Sequence, residues 1–247
     1  MNDEIVLNGI VLYTTLVGDY DKRLVILTKE RGKITAFANN ARRPKSILRA
    51  ASQSFVMGKF TVMAGREAYN LIRVEVTDYF SDIAMDMEKM CYASYFSELM
   101  SYYTREGEFC TDNLNLLYFT LKALIKGDMP DRLIKSIYEI RLMNIEGQGI
   151  HCFSCVKCRK NHELVYFDAF SGGLLCGECG KRYRITKKVG NTLVYALQFI
   201  ESTPVNRLFS FRLEPETEEE LFRISDRFRC EYIDKNFKSL EILNTLS

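Results

Sequence analysis

Two C-x-x-C pairs, Cys155-Val-Lys-Cys158 and Cys176-Gly-Glu-Cys179, stand seventeen residues apart in this 247-residue chain and limit what it can fold into more than any other feature. Two residues between cysteines let both sulfurs of a tight turn face one ion, and two such turns complete a tetrahedron about 2.3 Å from a zinc. A segment as short as residues 151–187 cannot bury a sufficient core, so the ion acts as its staple. The expectation is one structural zinc per chain on Cys155, Cys158, Cys176 and Cys179. Cys152-Phe-Ser-Cys155 also fits, twenty residues ahead of Cys176. Cys158 is preferred because Arg159-Lys160-Asn161 follows it much as Gly180-Lys181-Arg182 follows Cys179, making the two turns alike; Cys152 then packs or is spare. Gly180 is expected at positive φ, where backbone N–H groups point at the sulfurs. Gly172-Gly173 punctuates a hairpin, and His151 and His162 are expected at the surface.

Other chemistries of the same residue types fail on pattern. Thioredoxin-like redox work needs a single C-x-x-C at a helix start in a βαβ unit. A catalytic zinc keeps a position open for water, and nucleobase deaminases need a His or Cys ligand with Glu two residues on and Pro-Cys-x-x-Cys. Here His162 and Glu163 are adjacent and Leu175 precedes Cys176. There is no G-x-x-x-x-G-K-[ST] phosphate loop, so neither catalytic residues nor nucleotide turnover are expected. The acidic start Met1-Asn2-Asp3-Glu4-Ile5 lacks the cationic opening of a secretory signal, and no apolar run reaches membrane-span length. The chain therefore reads as cytoplasmic, where eight cysteines do not persist as disulfides. Cys91, Cys110 and Cys230 read as small buried apolar residues in helices.

Charge alternates along the chain. Residues 1–80 carry 12 basic and 8 acidic side chains, residues 81–150 carry 7 and 11, residues 151–190 carry 8 and 3, and residues 191–247 carry 7 and 10. The first eighty residues read as strands: Ile5 to Val17, Leu24 to Thr28, Lys33 to Ala38, Phe55 to Met63 and Leu71 to Val76. Between the third and fourth, Asn39 to Ser54 is long enough for a short helix. Five short strands with one helical connection is the order of an OB-type barrel, which propensity alone does not separate from an SH3-like one. From Ser81 the period becomes helical: Asp86 to Thr104, then Thr111 or Asp112 to Lys126, then a helix N-capped by Asp128 with Pro130 in its first turn, running to Ile145. Leu133, Ile134, Ile137, Tyr138 and Ile145 form its apolar face. After the cysteine segment, Asn191 to Ile200, a short helix from Pro204 to Phe211, and Glu216 to Cys230 complete the pattern, with Glu214 to Glu220 a solvated first turn suited to the helix dipole. The expected fold is multidomain α+β. A barrel at 1–80 precedes a helical domain at 81–150 and 188–247, into which a four-cysteine zinc module at 151–187 is inserted.

Arg42-Arg43-Pro44-Lys45-Ser46-Ile47-Leu48-Arg49 places four cations in eight residues, and no acidic residue occurs from Gly32 to Arg66. A run without internal counter-charge fits phosphate contacts driven by counterion release. Phe37, Phe55 and Phe60 are candidates for base stacking or, at strand spacing, for the core.

Thr28-Lys-Glu-Arg-Gly-Lys33, then Ala41-Arg-Arg-Pro-Lys-Ser46, then a helical region holding Cys155-x-x-Cys158 and Gly173-Leu-Leu-Cys176-Gly-Glu-Cys179-Gly180 closely resembles the RecO family of bacterial recombination mediators across essentially the whole chain. The resemblance implies an OB barrel that binds single- and double-stranded DNA and anneals complementary strands in DNA damage repair. With RecR, such a protein helps load recombinase onto single strands coated by single-strand-binding protein (SSB), whose acidic C-terminal tail is a further partner. Carried over by position, Arg42, Arg43, Lys45 and Arg49 are the DNA contacts, with Lys29, Arg31 and Lys33 second, and the protein is nucleoid-associated. Ile150-His151-Cys152 stands where the family usually has a proline and a leucine, which supports leaving Cys152 unligated, and Gly18-Asp19 replaces the common Gly-Glu of the first barrel turn. The alternative is an interaction adaptor whose zinc module is the docking surface, without a direct DNA role.

Overall fold

A computed structural model describes residues 4–246. Strands β1 (Glu4–Val17), β2 (Asp21–Thr28), β3 (Gly32–Ala38), β4 (Met57–Ala64) and β5 (Tyr69–Asp78) form a closed barrel, with the one-turn helix α1 (Leu48–Ala51) between β3 and β4. β1 pairs antiparallel with both β2 and β4, and its register shifts between Val11 and Tyr13, the kind of irregularity that bends a long strand enough to serve two neighbours. A short parallel seam, Ala36 to Tyr69 and Phe37 to Asn70, closes β3 on β5. This order, with its helical connection, is the OB fold. Leu7, Val11, Leu24, Ile26, Ile34, Phe60, Val62 and Leu71 fill the interior. β3 alternates buried and half-buried positions with the period of a strand that has one face inward. Gly32 closes the β2–β3 turn at φ 62°, and a Cβ there would stand 2.0 Å from the Arg105 carbonyl oxygen, so this position takes only glycine.

Two compact units are present. One comprises the chain up to Leu121 together with the segment from Phe237 onward; the other is Lys122–Asn236. In the first unit the barrel is joined by α2 (Met87–Tyr103), the greater part of α3 (Thr111–Lys126) and α8 (Lys238–Leu246). Asp86 caps α2 by accepting from the Glu88 and Lys89 N–H groups at 2.9 and 3.1 Å. Tyr95 packs edge-on against Phe237 at 5.7 Å, and the Ser239 hydroxyl donates to Glu98 at 2.6 Å, tying α8 to α2.

The second unit holds α4 (Asp131–Ile145), the hairpin β6 (Leu164–Asp168) and β7 (Gly173–Cys176), α5 (Gly177–Arg182), α6 (Asn191–Ser202) and α7 (Pro215–Tyr232). Leu133, Ile134, Ile137 and Tyr138 are buried as their spacing predicts, and Ile145 is half-buried. The same helix also buries charge. Glu139, fully enclosed, receives Lys135 at 2.9 Å and Arg229 of α7 at 3.3 Å, and the Ser225 hydroxyl donates to it at 2.5 Å. An ion group this deep persists only because every charge in it is partnered.

Several local expectations are corrected. Asp128 does not cap α4: Pro130 occupies that position without a side-chain bond, while Asp128 pairs with Lys126 at 2.5 Å. Residues Pro204 to Phe211 form only a 3-10 turn, Val205–Arg207, too short for a continued helical ladder. The acidic start of α7 is more than solvated, since Glu219 pairs with Arg132 at 2.5 Å and Glu220 with Lys187 at 3.3 Å. Cys110 is buried, but Cys91 is half-exposed and Cys230 lies open on α7.

Candidate metal centre and nucleic-acid face

The hairpin and α5 carry the second cysteine pair. Cys176 ends β7 and stands at the N-cap of α5, so Cys179 falls one turn into that helix. The first pair sits on a turn docked against β7: the Val156 N–H donates to the Leu174 carbonyl at 2.9 Å, and the Cys155 N–H to the Lys160 carbonyl at 2.7 Å. All four sulfurs lie within 4.8 Å of one another, with Cys158 and Cys176 at 3.6 Å. Sulfurs tetrahedral about a zinc at 2.3 Å are spaced by about 3.8 Å, whereas a disulfide needs about 2.0 Å. The spacing is that of a metal cage, and all four cysteines are free thiols. Cys155, Cys176 and Cys179 are buried and Cys158 is exposed. Burial opposes ionisation of Cys155, but backbone N–H donors of Cys176, Cys158 and Lys157 and the Cys158 thiol outweigh it and bring the pKa to about 6. Burial, with hydrogen bonding among the thiols and the Cys155 charge, pushes Cys179 up to about 12.

Gly180 is needed, though not for the reason read from sequence. It has no positive φ and lies within α5; a Cβ there would meet the Tyr166 ring at 2.1 Å. Arg159, after the first pair, has φ 67°, so the two turns differ in backbone. A Lys160–Glu178 ion pair at 2.8 Å spans both turns. Cys152 is wholly buried outside the sulfur cluster; burial and the Glu201 charge push its thiol up to about 12, and its carbonyl accepts from Gln198 at 2.9 Å. His151 and His162 are exposed.

On the barrel, the predicted cations separate into two groups. Arg42, Arg43, Lys45 and Arg49 are all exposed, on the connection between β3 and β4. Lys29, Arg31 and Lys33 lie at or beside the β2–β3 turn, the far end of a hairpin whose register runs from Lys22–Ala38 to Thr28–Gly32, roughly 20 Å away at 3.4 Å per residue. Two of this second group have internal partners. Arg31 donates to the Tyr69 hydroxyl at 2.9 Å, which in turn donates to Glu106 at 3.0 Å, and the Lys33 amino group donates to the Ser101 carbonyl. Lys29 is exposed.

Sequence reading passed over two residues beside the first group. Lys22 donates to the Ser52 carbonyl at 3.1 Å, and burial together with the Arg42 and Arg49 charges holds its amino group below the ordinary lysine value. Tyr20, half-exposed on the β1–β2 turn, carries the Arg43 guanidinium 4.9 Å from its ring centre. The phenylalanines considered for stacking are otherwise placed: Phe60 and Phe55 are buried, and Phe37 is half-buried. A strand-spacing argument finds core rings; Tyr20 follows Gly18-Asp19 in a turn, and that context was its signal.

The family model described as "Recombination protein O N terminal" matches residues 1–80, and that described as "Recombination protein O C terminal" matches residues 84–241. Among curated relatives, the DNA repair protein RecO of Acetivibrio thermocellus is 30% identical over 97% of this chain and 96% of its own length. That of Alkaliphilus metalliredigens is 31% identical over 95% and 96%, and that of Halalkalibacterium halodurans 30% over 96% and 93%. No helix among the described residues is long and apolar enough to cross a membrane.

Proposed function

The chain belongs to the RecO family of DNA-repair recombination mediators, and we propose that it works by holding DNA on the exposed cations of its β3–β4 connection. In this reading it binds single- and double-stranded DNA without reading sequence, anneals complementary strands, and with RecR loads recombinase onto strands coated by SSB, whose acidic tail it also engages. The observation that carries it is the exposed run Arg42, Arg43, Lys45 and Arg49 beside Lys22, whose amino group is held below the ordinary lysine value by burial first and then by the Arg42 and Arg49 charges. Such a cluster persists at a cost that a polyanion relieves. Pairing of two held strands follows once their mutual repulsion is neutralised. No nucleotide is consumed by this protein, and any ATP use belongs to the recombinase. Arg42, Arg43, Lys45 and Arg49 supply the main contacts and Lys29 a peripheral one; Arg31 and Lys33 brace the barrel through Tyr69 and Ser101.

The sulfur cluster is a structural zinc site on Cys155, Cys158, Cys176 and Cys179. Four thiolate donors suit zinc, and the metal when bound fixes the two turns without entering any reaction. In functional terms, residues 1–80 are the DNA-binding domain, 151–187 the zinc module, and 81–150 with 188–247 the helical partner-binding region. DNA association makes the protein nucleoid-associated in the cytoplasm.

The test is oligonucleotide binding across a salt series. Changing Arg42, Arg43 and Lys45 together to Ala is expected to flatten the slope of log K against log salt by about 2, at roughly 0.7 per lost phosphate contact on single strands. An unchanged slope removes the barrel connection as the DNA site. No binding by the wild-type protein at low salt favours the adaptor reading.

A further inference from the structure

Tyr20, Arg43, Pro44 and Lys45 line an open depression on the barrel, and the way its walls are held suggests a more specific task than charge neutralisation. Arg42 reaches back to the β1–β2 turn, its backbone N–H donating to the Tyr20 carbonyl at 2.9 Å and its Nη1 to the Asp19 carbonyl at 2.8 Å. Asp21 accepts from the Asn40 N–H at 2.7 Å, at a residue held at φ 55°. The turn and the connection are therefore stitched together, and the stitching fixes an exposed ring beneath a guanidinium plane. Two flat groups, one aromatic and one delocalised cation, are kept half open to solvent with a proline and a lysine beside them. Pro44 gives the rim an apolar side as well.

A phosphate backbone alone would ask only for the cations. Flat walls with an apolar rim match a flat, uncharged group carried next to an anion, which is the chemistry of an unpaired nucleobase and its phosphate. We propose that this depression is a stacking slot for one unpaired base, with Tyr20 and Arg43 as its platform, Lys45 on the adjoining phosphate, and Arg42 as a positioning residue for Tyr20. The slot rests on the DNA-binding reading above and deepens it: it makes this face prefer single strands, since a base inside a duplex cannot reach the platform.

Binding of the full-length protein to a fluorescein-labelled oligothymidylate and to a blunt duplex of equal length tests this. Tyr20→Ala is expected to weaken single-strand binding about 5- to 150-fold, the range for loss of one stacked base. Duplex affinity and the salt slope should stay unchanged, and Tyr20→Phe, which keeps the ring, should restore single-strand affinity. Because the chain has no tryptophan, Tyr20→Trp reports on the slot directly, with emission quenched at saturation by the single strand and not by the duplex. Equal single-strand affinity of wild type and Tyr20→Ala, or unquenched Tyr20→Trp emission at saturation, overturns the slot while leaving the phosphate contacts standing. Equal losses for single strand and duplex overturn the strand preference. Failure of wild type to bind either DNA removes the underlying reading, and the slot with it.

Discussion

The barrel and the cysteine module hold their backbones in opposite ways. In the barrel, a hydrogen-bond ladder closed from β1 round to β5 leaves no open edge, and a continuous apolar interior from Leu7 to Leu71 backs it. In the module, a two-stranded hairpin with a strand of only four residues is too small to be stable alone, and four sulfurs stand close enough together to hold a metal ion. A barrel stable without any ligand can leave a charged connection exposed on its surface, as Arg42, Arg43, Lys45 and Arg49 are left. The module is tightly packed beside the sulfurs, where a Cβ at Gly180 would stand 2.1 Å from the Tyr166 ring.

The largest effect expected from this contrast is metal removal. One zinc per chain should be released to a chromogenic chelator when the thiols are titrated. Because structural zinc contributes on the order of 10 kcal/mol in small modules, stripping it should abolish amide protection across residues 151–189 while β1 to β5 stay protected. Loss of barrel protection in the same step would break the comparison. A converse test empties the barrel: Phe60→Ala should cost about 3–5 kcal/mol in the unit that holds the barrel, with zinc content unchanged. Zinc lost in parallel with barrel unfolding would show that the two units are not separately held.

The smallest effect sharpens the account of how the module is anchored. Glu201 of α6 accepts from the Ile150 N–H at 2.8 Å and from the Asn144 amide, just where the chain enters the module. Burial raises its pKa to about 7, against the pull of the Ile150 N–H, Asn144 and the facing Arg141 charge; Cys152, near it, stays neutral. The folded protein therefore keeps a proton that the unfolded chain has released, so this group adds stability as pH falls from about 7 towards 4.5 and withdraws it as pH rises. The contribution is at most about 1.4 kcal/mol per pH unit, and less for a group in partial contact with water. Proton competition for a metal held on the sulfur cluster would act in the opposite direction, so the measurement is the difference between wild type and Glu201→Gln in denaturant unfolding from pH 8 to 6. Parallel curves would rule out Glu201 as the titrating anchor.

What could be read from sequence followed the range of the interactions involved. The strands, the short helix before β4 and the cysteine quartet depend on neighbours within a few residues or on ligand spacing, and each lies where its pattern placed it. Glu139 does not announce itself: its partners Arg229 and Ser225 are some ninety residues away, and a glutamate on a helix reads as solvated until α7 is laid against it. Tyr20 was equally hidden, because its importance comes from Arg43 across two turns rather than from its own strand. Gly180 was singled out correctly for the wrong reason, since a steric demand from Tyr166 and a demand on φ leave the same letter in the sequence.

Tyr95, Tyr102 and Glu98 of α2 find their partners in Phe237 and Ser239, which follow the whole second unit in the chain. On the ribosome, then, the barrel can close early, but the helical layer joined to it waits until more than a hundred further residues have been made and have left the exit tunnel. During that interval the part of α2 that meets Phe237 and Ser239 is uncovered, and synthesis stalled near Asn236 would yield a chain with an ordered barrel and an adhesive helix in the same unit.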